Sequence, residues 1–202
     1  MTSAIPDTRT TMFWFASLVT CLAIVGCEPR KQEPAADPSA AAPAAETPEA
    51  PALTDPAIAH VAVTANAIDS AMGELAKTKA RSSAVKDFAQ TMITDHGAVN
   101  QQAVELAQRL KVTPEDNDVS RQLQQGADEA RASLEGKSGA EFDQAYMQRE
   151  VEYHQAVLDA LDQALIPGAQ NAELKALLEG ARPAFVAHLE RAKQVQGKLG
   201  SA

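Results

Sequence analysis

The chain has 202 residues, of which 45% are hydrophobic and only 4% aromatic. Lys and Arg number 18 against 27 Asp and Glu, and the formal charge of −9 leaves no basic patch for a phosphate backbone, which excludes nucleic acid as a partner. Abundant Ala, Gln, Glu and Leu favour an all-α protein with one folded domain.

Residues 12–26 form an apolar run preceded by Arg9. The run is too short to cross a bilayer comfortably and suits the hydrophobic region of an export signal. It ends in Leu22-Ala23-Ile24-Val25-Gly26-Cys27, which resembles the bacterial lipobox, where the cysteine is lipidated and becomes the new N-terminus. The expectation is a lipoprotein-type signal peptide over residues 1–27, lipidation at Cys27, and a membrane partner reached through that anchor. Cleavage as an ordinary secretory signal stays open, because Asp7 beside Arg9 makes the n-region weakly basic. Residue 28 is Glu, not the Asp that in such lipoproteins favours inner-membrane retention, so the expected location is the periplasm or the outer membrane. Cys21 lies within the signal, so the folded part carries no thiol. A disulfide framework, a thiolate metal site and a nucleophilic cysteine are thereby excluded.

Residues 28–53 are almost wholly Pro, Ala, Glu and small polar residues, too poor in apolar side chains to offset the entropy of ordering. Their proline spacing predicts a semi-extended tether. Residues 54–200 then read as one helical domain. Asp55-Pro56 opens the first long helix, to about Ala80, and Ser82-Ser83 caps the second, to about Leu110. Thr113-Pro114-Glu115 starts a shorter polar helix ending near Gly136, whose solvated faces offer one place for a protein partner. Ser138 to Glu141 reads as a capping box for the third long helix, which stops before Pro167. Asn171 caps the fourth, with a kink expected around Gly180 and Pro183. Four long helices with one apolar stripe each predict a four-helix bundle of two antiparallel hairpins. The polar helix, about 19 residues or roughly 28 Å long, predicts a long crossover between the second and third long helices.

At about 100° per residue, three of the four histidines fall on the centre lines of apolar stripes. His96 shares its line with Val85, Ala89 and Met92; His154 with Met147, Val157 and Leu161; His188 with Leu174, Ala181 and Val195. His60 lies about 60° off the stripe and reads as a half-exposed surface residue. Glu150 precedes His154 by four, so the two stack on one helix face. Buried imidazoles and carboxylates need partners. His96, Glu150, His154 and His188 would supply three nitrogens and one oxygen, a set suited to one transition-metal ion such as zinc, iron or copper. Asp95, Glu152 and Tyr153 sit beside them as outer acceptors. A structural His/Glu cluster bonded to Tyr146, Asn100 or water, fixing helix register, stays open beside the metal. A ferritin-type di-iron centre needs Glu-x-x-His motifs, and the chain contains none. Nor does it carry a Gly-rich phosphate loop or a Ser-centred nucleophile motif.

Val85-Lys-Asp-Phe-Ala-Gln-Thr-Met-Ile-Thr-Asp-His96, Phe142-Asp-Gln-Ala-Tyr146, Glu152-Tyr-His154 and the stretch from Pro183 to His188-Leu189 together resemble an exported bacterial family, domain of unknown function 4142. The resemblance spans about residues 54–195 and implies a ferritin-like bundle and an export route, with no established reaction. Where that family tends to carry two glutamates on the first helix, this chain has Asp69 and Ala71. Asp69 lies about 120° from Leu75, off the inferred stripe, so no carboxylate is expected from the first helix. The expectation is a non-enzymatic binding or structural module of the cell envelope, in a setting of stress tolerance, with a buried His/Glu cluster. The alternative is a metal-binding or metal-oxidising ferritin-like enzyme.

Overall fold

The computed structural model describes residues 53–200, and every regular element within them is helical. The expected signal, Cys27 and the tether up to residue 52 lie outside these residues. Helix α1 spans Asp55–Lys79, α2 Ser83–Leu110, α3 Asp118–Glu135 and α4 Gly139–Ala160. A π-helical turn, Leu161–Leu165, and the short helix α5, Ile166–Gly168, lead into α6, Ala172–Leu199. Among the described residues no helix is long and apolar enough to cross a membrane.

Helix directions follow from two carboxylates that cap foreign turns. Asp143, in the first turns of α4, accepts from the backbone N–H of Arg81 at 3.0 Å and of Ser82 at 2.8 Å. The start of α4 therefore lies against the turn that joins α1 to α2. Asp55, at the start of α1, accepts from the N–H of Gln170 at 2.8 Å and of Asn171 at 2.9 Å, at the turn before α6. The end of α2 meets the start of α6 through Arg109 and Glu173, 2.7 Å apart. α1 packs on α2 and α4, and α6 packs on α2 and α4, so each long helix runs antiparallel to its neighbours.

α3 rests on α1 and α4. At one end Asn117 Nδ2 donates to Ala57 O at 3.2 Å, and at the other Lys79 Nζ donates to Glu135 O. Its 18 residues cover about 27 Å at 1.5 Å per residue, so it travels the length of α1 as the long crossover. Ala127 and Leu134 bury its inner face. The helix starts at Asp118 instead of the expected Thr113. Asn117 and Ser120 form a reciprocal capping box there, 3.1 and 3.0 Å long. Glu115 N–H is already engaged by Pro56 O at 3.0 Å, which holds the Pro114 segment in a link.

Other termini also depart from expectation. Thr54, not Asp55, is the N-cap of α1, which frees the Asp55 carboxylate for the distant turn. Glu141 pairs with Lys137 Nζ at 2.7 Å instead of closing a box with Ser138. The chain stays helical through Pro167 by way of the π turn, and α6 runs unbroken through Pro183. Asn171 caps α6 as expected, accepting from Glu173 N–H at 2.9 Å and Leu174 N–H at 3.1 Å.

The apolar interior is divided in two. One cluster holds Met72, Phe88, Met92, Phe142, Tyr146, Met147 and Val195. The other holds Ile58, Val61, Leu106, Leu158, Leu161, Phe185 and Leu189. Every long helix also buries polar residues near the boundary of the two sets: Asn66 and Asp69 on α1, His96 on α2, Glu150 and His154 on α4, and His188 on α6. A polar layer thus crosses the middle of an apolar core, where burial without partners is most expensive.

Candidate metal centre

Every residue of the expected set reaches this layer. Glu150 and His154 are 0% exposed, His96 1% and His188 6%. The three imidazoles form a near-equilateral triangle, with centroids 5.7 Å apart for His96 and His154, 5.1 Å for His96 and His188, and 5.5 Å for His154 and His188. One ring nitrogen from each lies within 4.8 Å of one from each of the others. Phe185 covers the triangle edge-on, 5.0 Å from the His96 ring.

Each ring is pinned from behind. Asn66 Nδ2 donates to Ala62 O at 2.8 Å, which turns its Oδ1 toward His96 Nδ1, also 2.8 Å away. That oxygen only accepts, so His96 Nδ1 carries the hydrogen. His154 Nδ1 donates to the Glu150 carbonyl at 2.9 Å, and His188 Nε2 donates to Asp95 Oδ2 at 2.9 Å. The remaining nitrogens are His96 Nε2, His154 Nε2 and His188 Nδ1. Among the described residues all three are buried without a hydrogen-bond partner, as are Asp69 Oδ2 and Glu150 Oε2. Of the expected outer acceptors only Asp95 serves a histidine. Glu152 accepts from Gln148 on the surface, and Tyr153 donates to Ala65 O at 2.7 Å. Neither Tyr146 nor Asn100 takes the part foreseen for it. The Tyr146 hydroxyl is itself buried without a partner among the described residues, and the Asn100 amide turns to the backbone of α1. His60 is half-buried, as expected.

Asp69 overturns the expectation of no helix-one carboxylate. It is fully buried, with Oδ2 2.8 Å from His96 Nε2 and 3.5 Å from His154 Nε2. The closer contact lacks hydrogen-bond alignment. The stripe of α1 runs through Val61, Ala65, Ile68, Met72 and Ala76, while Leu75 is only an edge residue. Because α2, α3 and α4 all cover α1, apolar residues ring most of this helix and its sequence gave a false centre. Asn66 and Asp69 were the usable signal, an amide and a carboxylate three apart in a run otherwise of Ala, Val, Ile and small hydroxyl residues.

Arg149 had no such signal. Its side chain is 13% exposed, and Nη1 donates to Asp69 Oδ1 at 2.9 Å and to Glu150 Oε1 at 2.6 Å. Its Cζ lies 4.2 Å from the centroid of the Tyr153 ring. The guanidinium thus takes one oxygen from each carboxylate and leaves the other turned to the histidines.

Electrostatics separate the two carboxyls. Burial pushes Asp69 up, but the close His96 contact and the Arg149 charge outweigh it, joined by His154 once that ring is protonated in acid, and hold the group well below the usual carboxylate range. Burial, joined by the Asp69 charge, drives Glu150 well above that range against the pull of Arg149. Burial also lowers His154 to about 4, despite the favourable Asp69 charge, and lowers His188. His154 is therefore neutral near pH 7, with its Nε2 lone pair available.

Chemically, the layer offers two overlapping donor triads, His96 with His154 and His188, and Asp69 with Glu150 and His154, and each ring is oriented by a bond on its far side, as metal-binding histidines are. No curated protein and no solved structure matches the chain. A family model described as "Domain of unknown function (DUF4142)" matches residues 39–195, and the chain belongs to that family.

Proposed function

We propose that the protein is a metal-binding helical module of the bacterial cell envelope. In this reading it is a ferritin-like four-helix bundle that holds one transition-metal ion among His96, His154, His188, Asp69 and Glu150. The observation that carries the reading is the set of five buried donor atoms without partners in one layer, three of them on rings whose other nitrogen is already bonded. Each unsatisfied buried group costs about 1–3 kcal/mol, and an ion held by one of the two donor triads would satisfy several of them together. Three nitrogens with carboxylate oxygens suit zinc, iron or copper. The layer is closed by apolar clusters above and below, which suits holding an ion more than exchanging substrate.

Antiparallel neighbours and a crossover helix that runs along most of α1 support the ferritin-like arrangement. The lipobox-like Leu22 to Cys27 and the Pro/Ala-rich segment after it support an envelope location, with a lipid at Cys27 holding the domain off a membrane. Palmitate-analogue labelling of wild type, lost in Cys27→Ser, tests the anchor. An unlabelled wild type overturns it.

The metal reading is tested by melting the metal-free, tag-free domain with zinc, ferrous iron or copper added. A ligand that binds the folded state alone raises the melting temperature. A second reading, a polar layer that only fixes helix register, is favoured by the Asp69–Arg149–Glu150 contacts, which neutralise part of the charge. It predicts a melting temperature indifferent to all three ions, and that result overturns the metal reading.

A further inference from the structure

We infer that Arg149 stands where a second cation would sit, so that the centre accepts a single metal ion on its histidine side. This rests on the metal-binding reading above and deepens it.

Two overlapping donor sets occupy the layer. His96, His154 and His188 form one; Asp69, Glu150 and His154 form the other, again with donor atoms within 4.8 Å of one another. Asp69 and Glu150 each turn one oxygen toward the histidines and the other away from them, the disposition of carboxylates that bridge two ions. Here the second place is filled. Arg149 Nη1 bonds Asp69 Oδ1 at 2.9 Å and Glu150 Oε1 at 2.6 Å, as a bridging cation would.

The guanidinium is held there from both sides. Its plane rests on Tyr153, and Tyr153 is fixed by its own bond to Ala65 O at 2.7 Å. A guanidinium stays charged at any pH a protein tolerates, so a divalent ion approaching the same two oxygens meets a permanent positive charge. The opposite oxygens belong to the histidine side: Asp69 Oδ2 lies 2.8 Å from His96 Nε2 and Glu150 Oε2 lies 3.6 Å from His154 Nδ1. Arg149 reaches this position from the surface. Its stem lines a groove of about 450 Å³ between α3 and α4, beside Leu123, Ala127 and Tyr153, so its charge can be removed without opening the apolar clusters.

The test loads manganese(II) into wild type, Arg149→Met and Arg149→Lys, removes excess metal by desalting, and measures ions per chain together with the electron paramagnetic resonance spectrum. Met fills the place of the stem and removes the charge together with its donor groups; Lys keeps a charge. The expected result is one ion per chain in wild type and Arg149→Lys, with the six-line signal of an isolated ion. Arg149→Met is expected to hold two, with six-line intensity lost to coupling between neighbouring ions. Two ions in wild type overturn the inference whatever the variants do. One ion in both wild type and a folded Arg149→Met also overturns it, while leaving the metal reading intact. A wild type that holds no manganese overturns the inference, while the metal reading is decided by zinc, iron and copper in the melts above.

Discussion

Asp69 Oδ2 lies 2.8 Å from His96 Nε2, a contact between the two helices of one hairpin that lacks hydrogen-bond alignment. Since His96 Nδ1 already donates to Asn66 Oδ1, a neutral His96 ring would set a nitrogen lone pair against a carboxylate oxygen. Only a cation at this point, a proton or a metal ion, makes the approach favourable. The polar layer is therefore built around positive charge that the side chains supply only in part.

Removing Asp69 leaves Arg149 with Glu150 alone and takes the carboxylate from both facing histidines. Asp69→Ala is expected to lower the unfolding free energy of the metal-free domain by about 3–5 kcal/mol, as for other buried ion pairs that lose one partner. Asp69→Asn, which keeps the shape and part of the bonding, should lose less. Urea unfolding of the three proteins measures this, and an Asp69→Ala value within about 0.5 kcal/mol of wild type contradicts the contacts described.

The metal-free domain should weaken in mild acid through His154. Its folded-state value is lowered from 6.5 to about 4, so between these values the unfolded chain binds the proton and the native state does not. Stability from this residue is complete above about pH 6.5 and is lost as pH falls toward 4, by about 2 kcal/mol between pH 7 and pH 5. Glu150, shifted upward, contributes the opposite slope above its ordinary range, so the comparison must be between proteins. Wild type should lose about 2 kcal/mol more than His154→Gln over that interval. Equal losses in denaturant melts at the two pH values would refute the assignment.

Close helix contact predicts an inverted glycine effect. A Cβ on Gly73 would lie 2.9 Å from Ala89 O and 3.0 Å from Ile93 Cγ1, whereas one on Gly180 meets nothing within 4 Å. Gly180→Ala should stabilise by about 0.5–1 kcal/mol through helix propensity. Gly73→Ala should destabilise by about 1–3 kcal/mol through crowding of α1 against α2. Thermal melts that gave both changes the same sign would contradict the packing.

The long helices were legible because their stripes are clean. The histidines and Glu150 lie on those stripes, and the expected set does share one layer. Asp69 was lost because α1, covered on three sides, has no single apolar face to read. Arg149 was lost because a long side chain on a partly exposed flank can curl its charge inward, and no periodicity records that. Asp55 and Asp143 reveal a further limit. Their carboxylates cap turns more than 60 and 110 residues away in sequence, respectively for Asp143 and Asp55, which local capping rules do not foresee.

Those distant caps hold the hairpins in register. Asp143 is buried and bonds two backbone N–H groups that would otherwise be orphaned at the α1–α2 turn. Asp143→Ala should cost about 2 kcal/mol, in line with hydrogen bonds to a charged acceptor. The amides of Arg81 and Ser82 should exchange hydrogen faster in the variant. Unchanged exchange at both would show that the cap does not hold the turn.

The central claim is that the polar layer holds a metal ion, and the most direct measurement is elemental analysis of the tag-free domain as isolated, beside His154→Ala. The account predicts close to one zinc, iron or copper ion per wild-type chain and its loss from the variant. A wild-type domain free of all three metals, and still free of them after exposure to each followed by desalting, would contradict it.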